Sequence, residues 1–373
     1  MLPAFHQLLS RQTPQRIVWT ADLTYWIAGQ PAQLVTEKGW DTEAGHFQLC
    51  RDLGILPYYW YENFWAGSLY FEHVTIHEET SPSGLHRKTW ETPLGTLIEE
   101  SQYRPESFSQ AITRYPIQNV DDLKILLHML EHSVSAPANL DTYPKRQKTW
   151  AEFDGLPSLA LPRSPLPSFL TEWAGVERGI YLLIDEPQLT GAVLDQLERL
   201  EGPILEGVCV LASQIAPKLL LVHFADNLTS EVYTPFFATQ MATRYQRRIE
   251  KLHAADIRCA VHLDGTVRGL LPRLAANGID AIEALTPLPV GDVAVDEMRT
   301  LAGNSAVILW GGLPGAMFAP PFTWEDLHRQ VESTLKAWRD TPFILGTADQ
   351  VPPNGNIEFV KRISDRITQE QVT

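Results

Sequence analysis

The sequence is poor in cysteine: Cys50, Cys209 and Cys259 are the three in a chain of 373 residues. They are odd in number, widely spaced and set among apolar or amphipathic neighbours. Disulfide-rich secreted domains and zinc knuckles carry more cysteines, at closer and more regular spacings. We therefore expect reduced thiols in a core, without a disulfide framework or a cysteine-based zinc knuckle.

Long apolar runs are also missing. No segment approaches the ~20 uninterrupted apolar residues that would span a bilayer, so membrane insertion is not expected. The first sixteen residues, MLPAFHQLLSRQTPQR, have neither a basic start nor an apolar middle that leads to a small-residue cleavage site. Because a secretory signal needs both, we expect a cytoplasmic protein.

Positive charge is scarce as well. The 30 Lys and Arg residues face 45 Asp and Glu residues, giving a formal net charge of −15, and they are scattered along the chain. Such a field repels phosphate backbones, so a nucleic-acid partner is not expected. A polyanionic substrate would also need concentrated guanidinium groups, because desolvated carboxylates must be paired.

From about residue 157 onward, short β-rich runs alternate with longer segments whose apolar residues recur every three or four positions. The runs are LPSLALP, GIYLLIDEP, KLLLVHFADN, IRCAVHLDG, IDAIEALTP, AVILWGGLP and PFILGTADQ. Together with RIVWTADL near the N-terminus they make eight candidate strands, although GIYLLIDEP could instead be the end of a helix or an added segment. Continuous apolar strands separated by helices predict an α/β fold, a (β/α)8 TIM barrel formed by a single domain over residues 1–373.

Residues 70–104 follow a different pattern, in which residue types alternate around Ser-Pro-Ser-Gly and Pro-Leu-Gly turns. This pattern predicts antiparallel hairpins inserted between early barrel elements. The segment NVDDLKILLHMLEHSV that follows is expected to be a helix, with Asn119 or Asp121 capping its free N–H groups.

Polar side chains occur at or near the ends of four of the predicted strands. They are Asp226 and Asn227, His262 and Asp264, Glu283, and Asp349. In a barrel the carboxyl ends of all strands share one face, which is where such folds place their chemistry. His262 and Asp264 are two residues apart, so extended backbone points both side chains the same way. We expect a functional site at this barrel mouth.

Structural roles are the alternative for each of these residues. Asp226, Asn227 and Asp264 could cap the following helices, and His262 could be a core histidine that is bonded to a carbonyl. Glu283 lies in an apolar strand and needs a partner such as His262, an arginine or a metal.

Two aromatic segments lie in the first part of the chain, IVWTADLTYWI and PYYWYENFWAG. They could stack on a flat ring of a ligand or simply pack the N-terminal half of the barrel. Trp26, which lies in the first of them, and Asp22, which follows the first predicted strand, are candidate substrate-binding residues.

Three stretches resemble the uroporphyrinogen decarboxylase superfamily: HLDGTVRGLLPRLAANGIDAIEAL, VILWGGLP and LGTADQVPPNGNIEFVKRISDRI, with TWETPLGTL similar to its mid-chain Thr-Pro-x-Gly segment. The resemblance implies a one-domain (β/α)8 barrel. It also implies either decarboxylation of a porphyrinogen or zinc-dependent methyl transfer between corrinoid proteins and thiols.

Two departures from the family pattern bear on the chemistry. Where the decarboxylases carry an Arg-rich motif that grips substrate carboxylates, this chain has VWTADLTYWIAGQ, without arginine. Where the methyltransferases hold zinc with His-x-Cys and a later Cys, it has His262-x-Asp264 and Asp349. Either the site binds a divalent cation such as zinc, iron or manganese through one imidazole and two carboxylates, or these groups do acid–base work or hydrogen bonding without metal.

The resemblance therefore implies a methyltransferase-type enzyme that acts on a small organic substrate, with a corrinoid-carrying protein as methyl donor or acceptor. In it, His262, Asp264 and Asp349 form a metal or polar triad, Glu283 orients His262 or completes the shell, and Asp226 and Asn227 position substrate. The candidate catalytic residues are His262, Asp264, Glu283 and Asp226. A decarboxylase or lyase that acts on a cyclic carboxylic acid and a non-catalytic ligand-binding barrel are the alternatives. Assembly into a homo-oligomer is left open.

Overall fold

The computed structural model of the protein describes residues 4–61, 64–65, 68–137, 140–216 and 220–370. Its strands are β1 (Trp19–Asp22), β2 (Leu69–Phe71), β3 (Thr75–Thr80), β4 (Leu85–Thr92), β5 (Gly95–Arg104), β6 (Ser109–Arg114), β7 (Ser133–Ser135), β8 (Ser158–Leu161), β9 (Leu220–Leu228), β10 (Ile257–Leu263), β11 (Ala281–Leu285), β12 (Ile308–Pro314) and β13 (Phe343–Gln350).

The helices α1 to α8 are, in order, Ala4–Leu9, Thr24–Ala28, Ala32–Lys38, Glu43–Leu53, Val120–Glu131, Tyr143–Ala151, Pro165–Ser168 and Val176–Asp185. The helices α9 to α15 are Pro187–Gln214, Ser230–Phe236, Ala242–Ala254, Leu271–Ala276, Val295–Ala302, Trp324–Trp338 and Ile357–Glu370. Single π-helical turns at Phe169–Trp173 and Phe237–Met241 and a 3-10 turn at Gly315–Phe318 complete the regular structure.

The chain forms two compact units. The first consists of Met1–Asn63, Asp141–Ala160 and Ala212–Thr373, and the second of Phe64–Leu140 and Leu161–Leu211. That the whole chain acts as one domain, as expected from the sequence, stays a prediction.

Most of the large sheet lies in the first unit. Within the described residues, seven strands pair in the order β1-β13-β12-β11-β10-β9-β8, and the register from β1 to β9 is parallel throughout. Seven of the eight predicted strands are therefore confirmed. The remaining candidate, GIYLLIDEP, is not a strand: it is mostly helix α8, so the helix alternative is the one that holds. Gly179, Leu182 and Leu183 are buried in it whereas Tyr181 and Ile184 are exposed, which is the three- and four-residue spacing of a helix face.

The sheet curls with helices around it, but the strands do not close into a complete barrel within the described residues. At the open edge, residues 55–61 run beside β1 without forming a strand: the Leu56 N–H donates to the Trp19 carbonyl at 2.9 Å. A side chain at Gly155, just before β8, would clash with Pro57. Because Pro57 has no N–H to donate, an irregular segment occupies the position where the eighth strand would lie.

Alternate residues of the strands pack into two apolar clusters in this unit. Ile344 lies in the inner cluster with Tyr58 and Trp310, whereas Leu345 lies in the outer cluster with residues of helices α4, α14 and α15. Gly346 leaves room inside for the Trp310 indole, since an added Cβ would lie 3.0 Å from its ring. The inner cluster thus fills the concave side of the sheet near the amino ends of its strands.

The second unit contains an antiparallel sheet in the order β3-β4-β5-β6. This confirms the predicted hairpins over 70–104 and extends them to Arg114, where β6 ends. The predicted helix is α5, and the Asn119 side chain caps it by accepting from the N–H groups of Asp121 and Asp122. No helix within the described ranges is long and apolar enough to cross a membrane.

Candidate functional site

Two strands of the first unit bring a histidine and a glutamate into direct contact. His262 on β10 and Glu283 on β11 are register partners, so their side chains lie side by side on the same face of the sheet. His262 Nδ1 and Glu283 Oε2 are 2.6 Å apart, and Glu283 is completely buried. The partner that a buried carboxylate requires is thus His262.

Asp264 and Asp349 complete a cluster around His262. Asp264 follows β10 and Asp349 lies near the end of β13, with its Oδ1 at 3.9 Å from His262 Nε2. One ligand atom from each of the three residues lies within 4.8 Å of the other two. The cluster therefore forms at the carboxyl ends of strands, as the sequence predicts.

Burial and mutual attraction set the charges of the central pair. Burial alone would lower the pKa of His262, but the charge and hydrogen bond of Glu283, with smaller effects from Asp264 and Asp349, raise it to about 9. Burial would raise the pKa of Glu283, but His262 and His223 lower it to about 2. The pair is consequently ionic at neutral pH.

The carboxyl ends of the sheet's strands, here called the mouth, carry three further carboxylates, Asp264, Asp349 and Asp22, which repel one another. Burial raises the pKa of both Asp264 and Asp349, although His262 opposes the effect. Burial also raises the pKa of Asp22, at the end of β1, to about 7, with help from the charges of Asp349 and Glu283. Asp22 Oδ1 accepts hydrogen bonds from the Thr24 N–H and hydroxyl, at 2.8 and 2.6 Å. Four acidic residues thus share this mouth with one imidazolium.

His223 on β9 is a site residue that the sequence analysis missed. Its side chain is 3% exposed and its Nε2 lies 3.5 Å from Glu283 Oε2, on the same carboxylate oxygen that contacts His262. Tyr61 stacks on its ring, with centroids 5.1 Å apart and planes within 4°. A histidine in the middle of the apolar strand run LLLVHF was the signal in the sequence, because burying an imidazole there requires a polar partner.

Backbone strain also occurs at this site. Ala284, directly after Glu283, and Asp349 both have φ of 65°, in the left-handed region. Residues with a Cβ atom enter this region at a cost of about 1–2 kcal/mol. Such strain persists where the surrounding structure enforces it, and it is typical of functional sites.

Asp226, predicted as a catalytic residue, is not brought into this cluster. It lies two residues after Phe224 and therefore on the same face of β9. Phe224 packs on Tyr245 of helix α11, and the Asp226 carboxylate accepts a hydrogen bond from the Tyr245 hydroxyl. The side chain is completely buried between β9 and the helix layer. These contacts are those of a buried residue that joins β9 to the helix layer.

Asn227 and Trp26 also lie apart from the cluster's contacts. Asn227 is exposed near the end of β9, with φ of 49°. Trp26 lies in α2, packs in the outer apolar cluster and donates from Nε1 to the Gly355 carbonyl at 3.1 Å. Its substrate-binding role stays a prediction, and its contacts are those of a core residue.

The donor set at the mouth fits a divalent cation. The carboxylate of Glu283 faces Nδ1 of His262, which leaves Nε2 directed toward Asp349, and such carboxylate–histidine pairs are typical of metal ligands. Ligands about 2.0–2.2 Å from a metal lie roughly 3–3.5 Å apart, so small side-chain rotations within this cluster suffice. One imidazole and two carboxylates suit zinc, iron or manganese.

A separate groove lies at the other end of the strands. It has a volume of about 910 Å³ and is lined by residues 8–9 and 11–18 together with Asp280, Ile308 and Phe343, which lie at or next to strand starts. None of the mouth residues lines this groove.

Comparison with known proteins identifies the fold. No protein-family model matches the chain, and no curated protein matches it. A solved methyltransferase from Methanosarcina mazei is similar, with 13% identity, a TM-score of 0.59, and coverage of 99% of this chain and 98% of that one. At this identity the likeness shows the fold alone, and that fold agrees with the predicted α/β arrangement.

A second solved structure covers the chain at lower similarity. It is a B12-independent methionine synthase from Shewanella sp. W3-18-1 in complex with selenomethionine, with 13% identity, a TM-score of 0.48, and coverage of 96% of this chain and 97% of that one. Such a score is too low to support an argument about this chain's site.

Proposed function

We propose that the chain is a metal-dependent, methyltransferase-type enzyme that acts on a small organic substrate at the mouth cluster, with a corrinoid-carrying protein as methyl donor or acceptor. The observation that carries the proposal is the convergence of His262, Asp264 and Asp349 within 4.8 Å, with Glu283 buried against His262. The fold neighbour from Methanosarcina mazei is named a methyltransferase, which agrees with this assignment. Fold likeness alone would not establish it.

In this proposal His262 Nε2 and one oxygen each from Asp264 and Asp349 would hold the metal. When bound, the metal would supply Lewis acidity that lowers the pKa of a coordinated nucleophile. Glu283 orients the His262 ring through Nδ1 and fixes which nitrogen faces the metal. Because carboxylate ligands favour hard partners, we expect an oxygen nucleophile such as an alcohol rather than a thiol.

Asp22 supplies the proton acceptor in this scheme. The nucleophile would form a bond to the methyl carbon as the bond between that carbon and the donor breaks; the donor keeps the bonding electron pair, and the nucleophile loses the proton it carried. The Asp22 pKa of about 7 lets its carboxyl group exchange a proton near neutral pH. Its Oδ1 is held by Thr24, which leaves Oδ2 to take that proton.

A carboxy-lyase would need a cation such as arginine beside the substrate carboxylate, and within the described residues no arginine is paired with the carboxylates of the mouth. Arg268 contacts Glu297 at 3.2 Å and is half-exposed, and Arg163 contacts Glu172 at 3.3 Å in the second unit. The mouth itself is dominated by carboxylates, which would repel an anionic substrate. We therefore propose no second function.

Metal content tests the proposal first. Elemental mass spectrometry on tag-free protein that was purified without chelator should give near-stoichiometric metal for the mouth, reduced by one equivalent in both His262→Ala and Asp349→Ala. His328→Ala, which removes an exposed histidine of α14, is the matched control and should retain the full metal content. Equal metal content in all four proteins, under several metal supplements, would refute the mouth site.

Methyl transfer is the second assay. Methylcobalamin would serve as donor to a panel of alcohols, phenols and thiols, with loss of its absorbance as the readout. We expect activity on an oxygen nucleophile that His262→Ala abolishes. Turnover that survives in the metal-free protein would contradict the role given to the metal.

A further inference from the structure

The carboxyl end of helix α5, in the second unit, carries the sequence His-Met-Leu-Glu-His over residues 128–132. His128 and Glu131 lie in the last turn of the helix, and His132 is its C-cap residue. Residues four positions apart face the same side of a helix, so the two imidazoles lie over one another with the carboxylate beside them. None of these residues takes part in the chemistry proposed for the mouth.

The three side chains are within reach of a single ion. One ligand atom from each of His128, Glu131 and His132 lies within 4.8 Å of the other two. The imidazole centroids are 4.1 Å apart, with the planes at 47°, so the rings are tilted rather than stacked flat. Small rotations about the side-chain bonds would bring two nitrogens and one oxygen to metal-ligand separations.

A hydrogen bond prepares His132 for metal binding. Its Nδ1 lies 2.8 Å from the carbonyl oxygen of His128, and because a carbonyl only accepts, Nδ1 must carry the hydrogen. The lone pair of the neutral ring then resides on Nε2. Metal-binding histidines commonly donate their second ring nitrogen to a backbone carbonyl in this way.

The local charges are compatible with a cation. The carboxyl end of a helix carries partial negative charge, which favours positive ligands there. One cationic group is already bound at this end of the helix: the Arg199 guanidinium donates to the carbonyls of Leu130 and Ser133. Glu131 and His132 are exposed, so an ion reaches them directly from solvent.

We propose that His128, Glu131 and His132 form a second metal site, which binds a first-row transition-metal dication such as Zn²⁺ through two imidazoles and one carboxylate. Water fills the remaining coordination positions, because the side chains come from one turn of one helix. This donor set selects Zn²⁺, Ni²⁺ or Cu²⁺ over Mg²⁺ and Ca²⁺, which prefer oxygen ligands alone. The site is independent of the function proposed for the mouth.

Calorimetric titration with Zn²⁺ tests the proposal on tag-free, full-length protein. The double variant His262→Ala/Asp349→Ala removes the mouth site, so its remaining binding reports the helix site. We expect one Zn²⁺ per chain in this background, and at least a tenfold weaker affinity after His132→Asn is added. Adding His77→Asn instead removes an exposed histidine of β3 in the same unit and should leave the affinity unchanged.

Two outcomes would overturn the site: no Zn²⁺ binding in the mouth-deleted background, or binding that His132→Asn leaves intact. A measurement on the unmodified chain guards against variants that fail to fold. Diethyl pyrocarbonate labelling, read by mass spectrometry, should be slowed at His128 and His132 by Zn²⁺ and unaffected by Mg²⁺. Equal labelling of both residues with and without Zn²⁺ would also reject the proposal.

Discussion

Replacing Glu283 by glutamine removes the negative charge that holds His262 protonated in the metal-free protein. Glutamine keeps the size of the side chain but offers only a neutral oxygen to Nδ1, across the contact that measures 2.6 Å. Burial alone lowers the pKa of His262. In Glu283→Gln we therefore expect this pKa to fall from about 9 to its ordinary value of 6.5 or below, even with Asp264 and Asp349 nearby.

The size of the effect follows from the pKa values. A pKa of about 9 against 6.5 in a free imidazole corresponds to about 3 kcal/mol of preferential interaction with the charged ring. Because the His262 pKa is raised, that stability is complete below pH 6.5 and is lost as the pH rises through 9. Glu283 has a lowered pKa of about 2, so its share of the same interaction is complete above 4.5 and is lost as the pH falls through 2.

Histidine titration by NMR on chelator-treated protein checks this prediction, and His262→Gln assigns the resonance among the 11 histidines. In urea unfolding, Glu283→Gln should be about 3 kcal/mol less stable than the wild type at pH 5.5, and the difference should be much smaller at pH 10. Asp349→Asn is the control, because Asp349 is half-exposed and its oxygen is 3.9 Å from Nε2. A His262 pKa that stays near 9 in Glu283→Gln would refute the ion-pair reasoning.

Three further predictions concern stability. Tyr245→Phe should destabilise the protein by about 1–3 kcal/mol in urea unfolding, because the buried Asp226 carboxylate loses a donor, while metal content stays unchanged; an altered metal content would contradict the placement of Asp226. Burial lowers the pKa of His46 to about 4, so the stability of the wild-type protein should fall by about 3 kcal/mol as the pH falls from 6.5 to 4. In urea unfolding experiments at pH 7 and pH 4.5, His46→Leu should lose less stability between the two pH values than the wild type does. Equal losses would reject this prediction. Gly311→Ala should lower the melting temperature by several degrees, because φ is 137° and an added Cβ would lie 2.7 Å from the backbone of Leu285; an unchanged melting temperature would argue against this packing.

The strand-end pattern was sufficient to find the centre of the site. His262 and Asp264 share a face because strands alternate, and Glu283 had to find a partner because an unpaired buried carboxylate is costly. Their assigned roles in catalysis and metal binding stay predictions. Asp226 does not join the cluster, because its side chain lies on the face of β9 that contacts Tyr245. Near an irregular strand end, the sequence alone does not define on which face a residue lies.

The fold was predictable except where local patterns are ambiguous. The run Ile-Tyr-Leu-Leu-Ile is compatible with a buried strand and with a one-sided helix, and only the burial of Leu182 and Leu183 beside exposed Tyr181 settles it as helix. The sequence does not predict that residues 55–61 occupy the position of the eighth strand, because Pro57 and its aromatic neighbours give no strand pattern. Tertiary packing against β1, rather than propensity, determines that segment.

The irregular segment over residues 55–61 has a consequence for how the interior of the first unit can change. Tyr58 and Tyr61 are fixed by contact with Trp310 and His223, rather than by a ladder of backbone hydrogen bonds. An insertion or deletion there can alter the packing around Trp310 and His223 without sliding a strand and inverting its side chains. The surroundings of His223 can therefore diverge through this segment while the carboxylate cluster keeps its geometry.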